Sequence, residues 1–150
     1  MSYVKGFEIK AGANLKYASL SGADLRGVNL AGANLKVADL RGANLNAANL
    51  TGAKLDEADL SKAGLTLADF TNASLTEANL SEAELVGAIL FKVDLTDANL
   101  IRADLSGAIL IGADLTDANL FQADLTGADL TGADLTQTKI TVEQYRLTLY

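Results

Sequence analysis

Carboxylates are the side chains through which this chain could do chemistry. The sequence holds 19 Asp and Glu residues against 12 Lys and Arg, and it contains no His and no Cys. Carboxylates serve as general acids and bases and as ligands for hard cations such as Ca²⁺. Whether they converge on one site depends on the elements that carry them. Two sets recur at intervals of twenty residues: Glu84, Asp104 and Asp124, and Asp94, Asp114 and Asp134.

A repeat of five residues organises most of the sequence. From Ala13 to Gln137 the motif Ala-(Asp/Asn)-Leu-x-x recurs without insertion or deletion, so that 125 residues form twenty-five pentapeptides. The third position is Leu throughout except at Phe70, and the first is Ala except at Val28 and Val93. A fixed short period of this kind is typical of a solenoid.

The period of five excludes a continuous helix or strand. On a helix, successive leucines would be displaced by about 140° around the axis and would form no stripe. On a single strand they would fall on alternate faces. The chain is therefore predicted to turn within every repeat. Ala and Leu, two residues apart, point inward, the Asp or Asn between them points outward, and the last two positions form a corner.

Internal similarity indicates how many repeats make one coil. Residues 93–112 and 113–132 share fourteen identities in twenty positions, which favours four sides per coil. The Ala-(Asp/Asn)-Leu-x-x signature over residues 13–137 resembles the pentapeptide-repeat family. This resemblance implies an all-β fold, a right-handed quadrilateral β-helix, here of about six coils with short terminal caps.

Residues twenty apart stack in this arrangement, so the leucines should form four interior columns. Phe70 should fill the space between Leu50 and Leu90 in its column. Burial of each leucine contributes roughly 1.5–3 kcal/mol. The column chosen to represent the core consists of Leu15, Leu35, Leu55, Leu75, Leu95, Leu115 and Leu135.

The two ends depart from the repeat. Residues 1–12 break its frame, and their apolar residues are predicted to cover the first coil. Residues 138–150 begin with a degenerate repeat, after which Thr141 and Gln144 have the spacing of a capping box that opens a short helix. This helix either covers the last coil, which favours a monomer, or forms a dimer contact through its apolar residues. The residues at helical spacing that would cover the coil are Val142, Tyr145 and Leu149, and those that would contact a second chain are Tyr145, Leu147, Leu149 and Tyr150.

Catalysis is not expected. The motif places the carboxylates on outward columns of a convex rod, away from a pocket that could shift their pKa values, and no nucleotide-binding motif is present. The sequence therefore predicts no enzyme activity, no cofactor and no metal site. The amino terminus lacks the apolar segment of a secretory signal, and no apolar stretch reaches 18 residues. We expect a cytoplasmic protein that makes no membrane contact.

Apolar residues at outward positions form a candidate interaction surface. One reading is a contact surface for a protein partner. The other is cross-coil pairing of branched and aromatic side chains, which stabilises neighbouring strands without a partner. In the four-sided arrangement Ile89 stacks on Ile109 and Phe91 on Ile111, whereas Ile101 and Phe121 stack on the opposite side.

Charge divides the rod into two parts. Residues 1–54 carry seven basic and three acidic residues, a net +4, whereas the remainder carries five and sixteen, a net −11. The acidic columns repel duplex DNA, so direct nucleic-acid binding is not expected. The sequence favours a scaffold that presents this acidic, partly apolar half to an unidentified protein.

The resemblance implies an alternative function. Some pentapeptide-repeat proteins mimic DNA and bind DNA gyrase or related topoisomerases. The resemblance to those proteins is partial, because they favour Phe at the third position. A repeat protein with no biochemical role of its own is the third hypothesis.

Overall fold

A hairpin precedes the repeats. The computed structural model describes residues 2–141, 143 and 144. Strand β1 (Ser2–Val4) pairs antiparallel with β2 (Phe7–Ile9). The two connecting residues, Lys5 and Gly6, both have positive φ, as a tight two-residue hairpin turn requires. Ile9 is buried, and Val4 and Phe7 pack against the core of the first coil.

From residue 14 onward the chain forms a coil that closes every twenty residues. Each second-position residue makes a parallel bridge to the residue twenty further along, from Asn14↔Asn34 to Asn119↔Lys139. There is one bridge and one turn per pentapeptide, so each coil has four short sides. The turns leave only three extended residues on a side, and the ladder consists of single-residue bridges.

The four sides are named by their inward third residues. Side A carries Leu15 and every twentieth residue to Leu135; side B carries Leu20 to Leu120; side C carries Leu25 to Leu125; side D carries Leu30, Leu50, Phe70, Leu90, Leu110 and Leu130. Side D lies between side C and side A around the coil.

Backbone hydrogen bonds between coils use three of the five N–H groups in a repeat. The third residue donates to the following coil, as Leu35 does to the Lys54 carbonyl at 2.7 Å. The second donates to the preceding coil, and the fifth donates to the following one. The first residue closes the corner instead, as Ala38 does by donating to the Leu35 carbonyl at 3.0 Å. The fourth N–H is left without a backbone acceptor.

Each corner is a type II turn that runs from the Leu of one repeat to the first residue of the next. The fifth residue of the repeat occupies the position of this turn that requires a positive φ, and it lies in the left-handed region in every repeat. Gly32 adopts a φ of 64° there without steric penalty. Non-glycine residues are held in the same conformation, including the β-branched Val37 at 58°. Such a residue stores about 1–3 kcal/mol of backbone strain, which the ladder on both sides must overcome.

Replacing Val37 by Gly should therefore raise the free energy of unfolding by up to about 1 kcal/mol. Relief of left-handed strain is opposed by the roughly 0.5–1 kcal/mol entropic cost of Gly and by the loss of the buried part of a side chain that is 39% exposed. Urea denaturation measures the change. The matched control is Gly32→Val, which introduces the same strain one corner earlier and should destabilise. A less stable Val37→Gly variant would contradict the assignment.

The core consists of the first- and third-position side chains. In side A, Leu15 to Leu115 are no more than 2% exposed, and Phe70 in side D is fully buried between its stacked leucines. Leu135, at the end of the side A column, and its neighbour Leu130 are half-buried and pack against the core. They lie in the last coil, so no following coil covers them within the described residues.

Gln144 closes the carboxyl-terminal edge of the ladder. Its side-chain oxygen accepts from the Thr141 N–H, and its own N–H donates to the Thr141 hydroxyl, which is the reciprocal pattern of a capping box. The buried amide also donates to the carbonyls of Leu120 and Ala123, at 2.8 and 2.7 Å. Backbone acceptors at this edge are thereby satisfied.

Two expectations concern the remainder of the carboxyl terminus and the membrane. The helix and dimer contacts predicted for Val142, Tyr145, Leu147, Leu149 and Tyr150 lie outside the described residues. No helix in the described part of the chain has the length and apolarity to cross a bilayer.

Candidate interaction surface

The Asp or Asn of a repeat has a structural partner, which the sequence analysis missed. Its side-chain oxygen accepts a hydrogen bond from the N–H of the fourth residue, as Asp69 does from Thr71 at 2.9 Å and Asn49 from Thr51 at 3.0 Å. This is the Asx turn, available to both residue types because both carry a short side-chain oxygen. It satisfies the one N–H that the coil leaves without a backbone acceptor. Asp and Asn at a fixed position before a turn were the available signal.

Gly64 shows how the fold treats a missing side chain at this position. Because Gly64 offers no acceptor, Asn46 in the preceding coil reaches up, and its Oδ1 accepts from the Thr66 N–H at 2.9 Å. A Cβ at Gly64 would lie 3.1 Å from that oxygen. A side chain at position 64 and the present position of the Asn46 amide are therefore incompatible unless Asn46 moves. The donor is thus satisfied from another coil.

Replacing Asn46 by Ala should lower the free energy of unfolding by about 1 kcal/mol, because the Thr66 N–H loses its acceptor. In that background, Gly64→Asn should recover the loss by providing the normal Asx bond. The matched control is Gly64→Ala in the same background, which changes backbone entropy but adds no acceptor. Urea denaturation of the set measures the difference. Equal stability of the two double variants would exclude this role for the fourth-residue donor.

The acidic columns line the two sides that flank side D. Bridges stack Glu84, Asp104 and Asp124 on side C, and Asp94, Asp114 and Asp134 on side A. The Thr136 hydroxyl and N–H donate to Asp134 and lower the pKa of its carboxyl below the ordinary value. The Thr126 side chain and N–H lower the pKa of Asp124 in the same way. These carboxyls are therefore held in the charged form at neutral pH.

The amino-terminal half carries internally paired charges. Arg26 binds Asp24 at 2.6 Å and Arg41 binds Asp39 at 2.7 Å, each pair two residues apart. The Arg26 side chain and N–H donate to Asp24 and lower the pKa of its carboxyl to about 2. Such exposed pairs contribute little stability, but they neutralise the surface locally. The negative field is consequently concentrated in the carboxyl-terminal half.

Asp56 is a carboxylate that two neighbours shield. Burial raises the pKa of its carboxyl, but the Ser74 hydroxyl at 2.6 Å and the Lys36 ammonium at 3.1 Å outweigh burial, so the pKa lies below its ordinary value. No three or more carboxylates among residues 2–141, 143 and 144 are grouped so that they could hold a metal ion. The geometry of the acidic residues is that of separate outward columns.

Outward apolar side chains form a surface on side D and its two corners, hereafter the side D patch. Ile89 and Ile109 are bridge partners in the middle column, and Phe91 and Ile111 stack at the corner with side A. Ile109 is 38% exposed, and Ile89, Phe91 and Ile111 are half-buried.

The structure adds to this surface two residues that the sequence analysis missed. At the corner with side C, Leu67 is 64% exposed and Val86 is 37% exposed. Apolar residues at corner positions were the signal. The side D patch therefore comprises Leu67, Val86, Ile89, Phe91, Ile109 and Ile111.

The other two predicted surface residues lie elsewhere. Ile101 and Phe121 stack at the corner between sides B and C, diagonally opposite Phe91 and Ile111. Phe121 is 52% exposed and Ile101 is half-buried. This is the opposite side of the coil, where the spacing of twenty residues places them.

The side D patch departs from the Asx rule. Ile89 and Ile109 stand where Asp or Asn would accept from the fourth residue. Within the described residues, the N–H groups of Phe91 and Ile111 have no hydrogen-bond acceptor in the protein. The coils before and after keep the rule, because Asp69 and Asp129 accept from the fourth residues of their own repeats. Two adjacent coils thus present apolar side chains and unpaired donors together.

An unpaired fourth-residue donor is not confined to these two positions. In the described part of the chain, four more fourth-residue N–H groups lack an acceptor: those of Ser21, Asp56, Thr76 and Val86, which follow Ser19, Lys54, Ser74 and Glu84. A polar side chain precedes each of them. The N–H groups of Phe91 and Ile111 differ because an apolar side chain, Ile89 or Ile109, precedes each of them. On side D the unpaired donors therefore lie within an apolar surface.

Comparison with known proteins is consistent with this architecture. The family model for pentapeptide repeats matches in eight copies over residues 11–46, 33–72, 68–107 and 98–137. This chain belongs to the pentapeptide-repeat family. No curated protein matches it.

Several solved pentapeptide-repeat structures are similar to the chain. HetL, involved in heterocyst differentiation regulation in the cyanobacterium Nostoc, is 37% identical over 86% of this chain and 64% of its own, with a TM-score of 0.49. A protein of the Arabidopsis thaliana thylakoid lumen is 34% identical over 83% of this chain and 73% of its own, with a TM-score of 0.33. A trypsin-treated form of QnrB1, a plasmid-mediated fluoroquinolone resistance protein, is 25% identical over 86% and 68%, with a TM-score of 0.34. This chain spans 64% of the length of HetL and of the Cyanothece protein Rfr23.

Proposed function

We propose that this chain is a non-catalytic interaction scaffold, a right-handed quadrilateral β-helix of about six coils that presents the side D patch and its acidic surroundings to a protein partner. The observation that carries the proposal is the side D patch itself. It joins six outward apolar side chains over neighbouring coils where the repeat otherwise places polar residues.

Internal stabilisation alone does not account for the patch. Cross-coil pairing of Ile89 with Ile109, or Phe91 with Ile111, contributes roughly 0.2–1 kcal/mol. The two replaced Asx bonds would each contribute roughly 0.5–1.5 kcal/mol. Because the two ranges overlap, the exchange gives the isolated chain little net stability. Positions where a sequence breaks its own local rule without an internal gain are expected to serve function, and contact with a partner supplies that gain.

Shape and chemistry support a non-catalytic role. The acidic columns stand on the outside of a convex rod, and the hydrogen bonds that Asp124 and Asp134 accept lower the pKa of those two carboxyls and make them weak proton donors at neutral pH. A scaffold needs only a rigid surface, which the continuous ladder provides.

Replacing both Phe91 and Ile111 by Thr should abolish co-purification of the partner from extract. The substitutions remove the apolar column at the corner with side A, yet Thr is the residue that the repeat already places there at Thr51, Thr71 and Thr131. The matched control is Ile101→Thr with Phe121→Thr at the opposite corner, which should retain the partner. Sedimentation at several concentrations monitors self-association in parallel. Equal recovery of the partner by both double variants would exclude the side D patch.

The acidic columns favour a second candidate, a DNA-mimic regulator of DNA gyrase or a related topoisomerase. Their carboxylates are stacked in register along the axis on two sides, as the phosphates of a duplex are stacked along its axis. In a supercoiling assay, this candidate predicts a concentration-dependent effect that is lost when Asp94, Asp114 and Asp134 are all replaced by Asn. Asn keeps the Asx acceptor, so the fold should be preserved. A wild-type effect on supercoiling by the triple variant would exclude the charge-based mechanism.

A further inference from the structure

We propose that the partner contacts the side D patch through a cationic amphipathic segment, whose apolar side chains cover the patch and whose Lys and Arg residues face the carboxylates around it. The inference rests on the proposed function and specifies the chemistry of the partner. Three features of the patch and its edges support it.

The first observation is that carboxylates bound the patch along the rod axis. The middle column runs in bridge order Asp69, Ile89, Ile109 and Asp129. The apolar pair is therefore enclosed by a carboxylate in the coil before and another in the coil after. At a ladder spacing of about 4.8 Å, the two carboxylates are about 14 Å apart, which is close to two and a half turns of a helix.

The second observation is that carboxylates also bound the patch around the coil. Side C contributes Glu84 and Asp104, and side A contributes Asp94 and Asp114, at the level of the patch. Lys92 is a cation at the border, where its ammonium lies 5.2 Å from the centroid of the Phe91 ring. The surrounding carboxylates outnumber it. An apolar centre within an acidic border is complementary to a segment with an apolar stripe bordered by Lys and Arg.

The same charges exclude a second copy of this chain as the occupant. A symmetric contact between two side D patches would place Asp69 and Asp129 of one protomer close to the acidic borders of its partner. Like charges facing each other across an interface disfavour that pairing. The border therefore selects a cationic partner over self-association.

The third observation is that three free donors lie within the patch, the N–H groups of Val86, Phe91 and Ile111. The N–H groups of Phe91 and Ile111 have no acceptor in the described part of the chain, because Ile89 and Ile109 replace the usual Asp or Asn. A segment lying on the patch satisfies them with backbone or side-chain oxygens. Apolar contact, charge and hydrogen-bond donors thus point to one occupant.

The test uses a defined peptide and the full chain. The probe is a fluorescently labelled helical peptide of about 18 residues, composed of Leu and Lys with Leu on one face. Fluorescence anisotropy should show saturable binding that weakens as salt concentration rises. In ¹⁵N-resolved NMR spectra, the largest shift changes should fall on Phe91 and Ile111 and their neighbours. Two comparison peptides, one with the same composition scrambled and one with Glu replacing Lys, should bind at least about tenfold more weakly.

The deciding variant is Ile89→Asn combined with Ile109→Asn. It restores the motif residue at both positions and creates a stack like the one on side B, where the Asn99 amide donates to Asn79 at 3.2 Å. The fold should be retained, and peptide affinity should fall at least about tenfold. Replacing Lys92 by Asn should strengthen binding, because it removes a cation from the border. The control that combines Ile101→Thr with Phe121→Thr should bind as the wild type does.

Three outcomes would overturn the inference. They are unchanged affinity in the variant that combines Ile89→Asn with Ile109→Asn, equal affinity for the scrambled or Glu peptide, and shift changes confined to other sides of the rod. The scaffold proposal has a separate test, the loss of the cellular partner in the variant that combines Phe91→Thr with Ile111→Thr. If that variant loses the partner, the scaffold proposal stands even when one of these three outcomes is observed. In that case side D is an interface whose partner has different chemistry.

Discussion

The N–H of the fourth residue in each pentapeptide is the donor that the coil cannot satisfy with its own backbone. The other four N–H groups bond to the neighbouring coils or close the corner. An Asp or Asn two residues earlier supplies the missing acceptor, as Asn44 does for Asn46 at 3.1 Å. This bond joins the corner to the side that precedes it. The outward residue of the motif is therefore part of the framework and not only a means of solvation.

The acidic character of the rod follows from this requirement. At Asp129 the Thr131 hydroxyl and N–H both donate to the carboxyl and hold its pKa below the ordinary value. Charge accumulates where Asp is used in place of Asn. Arg26 and Arg41 pair with such residues near the amino terminus. Further along the chain the carboxylates of the two acidic columns can face an external cation.

Functional information lies where the framework rule is broken. At Gly64 the missing acceptor is replaced from another coil by Asn46, so the lapse is compensated within the fold. At Ile89 and Ile109 it is not compensated, and the unpaired donors coincide with an apolar surface inside an acidic border. That coincidence, more than the unpaired donor alone, distinguishes a candidate binding surface from structural variation.

The sequence by itself determined the repeat, the inward direction of Ala and Leu, and the stacking of residues twenty apart, since these follow from local periodicity and self-similarity. It also identified most of the side D patch. Only the tertiary structure decided how exposed each residue is. Leu67 and Val86 enter the patch and Leu135 is half-buried, because exposure depends on neighbours twenty residues away. The left-handed corners and the roles of Asn46 and Gln144 were likewise set by contacts between coils. The five-residue pattern specifies the backbone of the coil and its interior. The exposure of outward side chains and the structure of the two ends depend on contacts with neighbouring coils.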